Sequence, residues 1–79
     1  MTNKLSINAQ LGKRIRYLRK LKKESVFEFS INVGINYTYL SDLERGNRNP
    51  SLKILNKIAN YLDISLEELF KGIRDYGVN

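Results

Sequence analysis

Tyr37, Thr38, Ser41 and Arg45 place a phenol, two hydroxyls and a guanidinium within a few residues of one another. The short hydroxyls of Thr38 and Ser41 suit close approach to a base edge, a thymine methyl or a phosphate. The Tyr37 ring offers an OH beside a flat apolar face, and Arg45 can donate two parallel bonds to guanine O6 and N7 or clamp a phosphate. Asp42, in their midst, can accept from cytosine N4 or stand as a solvated flank residue. Beyond them Arg48 is placed to clamp phosphate, while Asn47 and Asn49 either donate to phosphate or shape the loop they sit in. Lys13 and Arg14, far upstream, either meet a nucleic-acid backbone or form a solvated face. This is the chemistry of recognition rather than of bond making. The chain has no His and no Cys, which removes the usual nucleophile–base pairs and zinc ligand sets, and it has no phosphate-cradling Gly-rich motif. The acidic pair Glu67 and Glu68 opens a helix, where negative charge complements the dipole. An enzyme, a metal centre and a cofactor are therefore not expected.

With 14 Lys and Arg against 8 Asp and Glu, the 79 residues carry a formal charge of +6. That balance favours a polyanionic partner, although it serves solubility equally well. The polar N-terminus and the lack of any apolar run near the ~20 residues of a membrane span predict a cytoplasmic protein without a membrane partner.

The elements that position these groups are helical. Apolar residues recur at the 3.6-residue period and strand-like alternation is absent, which predicts an all-α fold, a compact five-helix bundle forming a single domain. Helices are expected over about residues 8–22, 26–33, 37–44, 51–62 and 66–71. In the first, Leu11, Ile15, Leu18 and Leu21 form an inward stripe, with Lys13, Arg14, Arg16 and Lys20 elsewhere around the helix. Ser25 with Glu28, and Ser65 with Glu68, have the spacing of capping boxes, and Ile64 with Leu69 that of a hydrophobic staple. Leu52, Leu55, Ile58, Ala59 and Leu62 are assigned to the inner side of the fourth helix.

Between the second and third helices, Gly34 supplies the left-handed residue that ends one helix and Asn36 caps the next. Asn36 is thus a cap first and a phosphate contact second. Small Ser30 lies where a crossing helix would approach, and Ile35 anchors the turn in the core. Two short helices joined by such a turn make a helix-turn-helix, whose second helix projects into a DNA major groove. With Leu40 and Leu43 inward, Tyr37, Thr38, Ser41, Asp42 and Arg45 face outward.

Over most of Leu11 to Phe70 the chain resembles the Xre-type family of phage-repressor and Cro-like DNA-binding domains. The resemblance rests on LGKRIRYLR, the helix-turn-helix spacing, YLSDLERGNRNPS and IANYLDISLEELF. Within that family the RNPSL stretch and short length look most like the controller proteins of restriction-modification systems. The resemblance implies a transcription regulator that binds a double-stranded DNA operator as a homodimer. It also implies a structural ion pair, Arg19 with Glu44, and a backbone contact at Tyr39. Where the family commonly has a phosphate-contacting Gln, this chain has Val26, which puts that contact in doubt.

Two surfaces remain. Leu66, Phe70, Ile73 and Tyr76 supply apolar surface beyond what a small core requires and are assigned to the dimer interface. Phe27 and Ile31, one helical turn apart, admit two readings: an exposed apolar pair that a protein partner covers, or packing beneath an N-terminal tail carrying Leu5 and Ile7. The first keeps alive a rival function, an antitoxin or interaction module that neutralises a protein and binds DNA secondarily.

Overall fold

A computed structural model describes residues 6–77 of the chain. Five α-helices follow one another: α1 (Ile7–Leu21), α2 (Val26–Val33), α3 (Tyr37–Glu44), α4 (Leu52–Leu62) and α5 (Leu66–Phe70). A 3-10 turn, Ile73–Gly77, closes the described chain. Each helix start has a chemical cause. Ser6, Ser25, Asn36, Ser51 and Ser65 each accept a bond from the backbone N–H three residues on, satisfying a donor the helix cannot. Ser6 starts α1 one residue before the predicted boundary. The Ser25–Glu28 box is complete, whereas Ser65–Glu68 forms only the serine half. The Glu68 carboxylate lies instead 3.4 Å from the Arg14 guanidinium, a stronger partner than a backbone N–H.

The core is built from Leu11 and Ile15 of α1, Phe29 and Val33 of α2, Leu40 and Leu43 of α3, Leu55, Ile58 and Ala59 of α4, and Leu69 of α5. Two leucines expected inside are outside. The buried face of α1 runs through Leu11, Ile15 and Arg19, and Leu21 lies about 200° around the helix from Arg19; it is 61% exposed. Leu52, on the first turn of α4, extends past the core edge and is 73% exposed. Among the described residues no helix is long and apolar enough to cross a membrane.

The approach of α1 to α3 depends on Gly12. A Cβ there would stand 2.5 Å from the Leu43 carbonyl oxygen and 2.6 Å from that of Glu44, inside any tolerable contact. The sequence pattern of apolar residues gave no hint of this constraint, since glycine carries no hydrophobic signal. Gly34 adopts φ 87°, the left-handed conformation that lets α2 turn sharply into α3. The hydroxyl of buried Ser30 donates to the Phe27 carbonyl, so the small polar residue at the crossing is satisfied within its own helix.

Candidate nucleic-acid interface

The third helix is held to the body from its inner side. Leu40 and Leu43 are fully buried, and the Glu44 carboxylate accepts from Arg19 Nε at 2.7 Å and from Nη2 at 2.9 Å, a two-pronged pair with little solvent access. Arg19 Nη1 donates in addition to the Glu24 carbonyl. The hydrogen bond to Glu44 outweighs the burial that opposes it and raises the Arg19 pKa above its ordinary value. One guanidinium therefore ties α1, the α1–α2 loop and the end of α3 together. A second knot adjoins the first at Glu24: Tyr61 of α4 donates to the Glu24 carboxylate, and Asn32 of α2 donates to both. The bond to Glu24, assisted by burial, raises the Tyr61 phenol above its usual value. This network leaves no signal in the sequence, because Glu24, Asn32 and Tyr61 share no helix or periodicity.

What remains outward is the expected set in part. Tyr37 is half exposed, Thr38 and Arg45 are exposed, and Ser41 is only partly so. Asn36 accepts from the Tyr39 N–H at 3.0 Å and is spent mainly on capping. Asp42 is neither a free reader nor a solvated flank: its carboxylate takes Arg45 on one oxygen and Arg48, at 3.5 Å, on the other. Arg48 also lies over the Tyr39 ring, 5.1 Å from its centroid. The i,i+3 spacing of Asp42 and Arg45 was the available signal. Asn47 and Asn49 are exposed in the loop between α3 and α4.

Lys13 is exposed, but its neighbour Arg14 is not available to a nucleic-acid backbone. Arg14 is buried, with Nε donating to the Leu69 carbonyl at 3.2 Å and Nη2 to that of Glu68 at 2.9 Å. It satisfies carbonyls of the short α5, because the 3.6-residue period places it beside Leu11 and Ile15 on the core face. The cations that do accompany Lys13 are Arg16 and Lys20, which line with it a shallow cleft that Arg45 and Asn47 border on the other side. The recurrence 13, 16, 20 along one helix is a face that the sequence displays openly.

Leu66, Phe70, Ile73 and Tyr76 are all partly buried already within one chain. Leu66 and Phe70 lean on the core, and the Tyr76 ring meets Tyr17 of α1 at 6.4 Å. Phe27 and Ile31 are 59% and 61% exposed, and Ile7 is itself 58% exposed; Leu5 lies outside the described residues.

A helix-turn-helix family model matches residues 13–69, most of the chain. The chain belongs to the helix-turn-helix family. It is 39% identical over 61 residues to the transcriptional regulator SlrR of Bacillus subtilis, covering 76% of this chain but only 40% of SlrR. To the control protein C.MunI of a Mycoplasma species it is 40% identical over 68 residues, covering 85% of this chain and 92% of that protein. Among solved structures, the restriction-modification controller protein C.AhdI of Aeromonas hydrophila superposes with a TM-score of 0.75 at 39% identity, over 78% of this chain and 94% of that one. The biofilm regulator SinR in complex with DNA gives 0.72 at 37%, over 77% and 98%. As a member of this helix-turn-helix family, the chain is a DNA-binding regulator.

Proposed function

We propose that this protein is a sequence-specific transcription regulator that binds a double-stranded operator as a homodimer, in the manner of a restriction-modification control protein, within the cytoplasm. The observation that carries this reading is the division of α3: an inner side fixed by Leu40, Leu43 and the Arg19–Glu44 pair, and an outer side presenting Tyr37, Thr38, Ser41 and Arg45. These four read bases, while Arg48, Lys13, Tyr39, Asn36, Asn47 and Asn49 address the backbone. One short helix spans few base pairs, so useful specificity requires two copies on two half-sites about 34–36 Å apart. The partly covered apolar residues Leu66, Phe70, Ile73 and Tyr76 supply the contact between copies. Footprinting on an operator selected from random duplexes tests it. The expected result is two symmetric half-sites one helical turn apart, bound by a species that sediments as a dimer; a single asymmetric half-site bound by a monomer would overturn it.

The exposure of Ile31 beside Phe27 supports a second reading, a surface for a protein partner. It predicts that Ile31→Ser leaves operator binding intact while abolishing capture of that partner from the native host.

A further inference from the structure

Phe27 is the second residue of α2 and Tyr37 the first of α3, so the turn brings two helix starts together on one surface. Their rings stand 6.2 Å apart at an interplanar angle of 62°, the edge-to-face arrangement that aromatic quadrupoles favour. Neither ring is buried: Phe27 is 59% and Tyr37 50% exposed. The pair therefore contributes little to the core. The Tyr37 OH makes no hydrogen bond among the described residues, which leaves the phenol free for an outside acceptor. A tyrosine at a helix start has no preceding turn to restrict it, and fixing it on binding costs side-chain entropy. The Phe27 ring limits that freedom in advance.

We infer that Phe27 is a positioning residue for Tyr37, holding the phenol in the orientation that meets the operator, and so determines specificity without itself bonding to DNA. This rests on the proposed base-reading role of Tyr37. It also reassigns Phe27 from a protein-docking pair to the DNA-facing edge, leaving Ile31 alone on the neighbouring turn. Because Phe27 carries no charge, its effect is independent of salt, unlike that of a phosphate contact.

A double-mutant cycle on the full chain tests it, using the selected operator and an unrelated duplex. Phe27→Ala should weaken operator binding about three- to tenfold, the cost of immobilising one side chain on binding. Binding to the unrelated duplex and the salt slope should not move. Phe27→Tyr, which keeps the ring, should restore wild-type affinity. In a Tyr37→Ala background, Phe27→Ala should add nothing. Wild-type operator affinity for Phe27→Ala, or losses that simply add, would overturn the inference while leaving the Tyr37 reading intact. If Tyr37→Ala alone binds like wild type, the reader assignment fails, and the inference with it.

Discussion

Glu44 and Asp42 stand two residues apart on one helix and each holds arginine, yet they belong to different regions of the molecule. The Glu44 side chain is 6% exposed and grips Arg19 with both oxygens; that of Asp42 is 22% exposed and divides its oxygens between Arg45 and Arg48, themselves 63% and 47% exposed. The inner pair is shielded from solvent, so losing one partner strands a charge. The outer cluster faces solvent, where an ion pair adds little to stability. Position on α3 rather than residue type thus separates a buried structural pair from a solvent-facing cluster.

The inner pair is the more sensitive of the two to substitution. Glu44→Gln strands the buried Arg19 charge and should destabilise the fold by about 3–5 kcal/mol, read as a lowered urea midpoint; a loss below about 1 kcal/mol would place the pair with the surface bridges. At the outer end, Asp42→Asn should change stability by less than about 1 kcal/mol. It should instead strengthen binding to unrelated DNA and steepen the salt dependence by about one phosphate contact, because a freed guanidinium turns to the backbone. A large fall in stability would show the outer cluster to be architecture as well.

The smallest effect belongs to Tyr61. Its folded-state pKa lies above the ordinary value of 10.0, because ionising the phenol removes the proton it donates to Glu24. The stability this contributes is present below pH 10 and is lost as the pH rises through the folded pKa. Spectrophotometric titration should show a component ionising above the ordinary tyrosine value, and that component should be missing in Tyr61→Phe. Loss of any other component would place the raised phenol elsewhere.

How much of this was readable beforehand follows from where each signal resides. The caps at Ser25, Asn36 and Ser51 and the left-handed Gly34 act over three or four residues, so the boundaries of α2 and α3 are written locally. The outward face of α3 follows from Leu40 and Leu43 by period alone. Arg14 and Arg16 show the limit: the helical period sets Arg14 beside Leu11 and Ile15, but the Glu68 and Leu69 carbonyls that hold its guanidinium come from α5, at the other end of the chain, whereas Arg16 lines the open cleft. Gly12 and the Glu24–Asn32–Tyr61 network are likewise set by elements meeting from distant parts of the chain.

On the proposed reading, α3 reads sequence with its outer face while the residues beyond it supply grip. Affinities for the selected operator and an unrelated duplex, measured across a salt series for Thr38→Ala/Ser41→Ala and for Arg48→Ala, test it most directly. The double substitution should weaken operator binding by about tenfold or more, leaving the unrelated duplex and the salt slope unchanged. Arg48→Ala should weaken both duplexes alike and flatten the slope by about one contact. Parallel losses on both duplexes from the two variants would contradict the division.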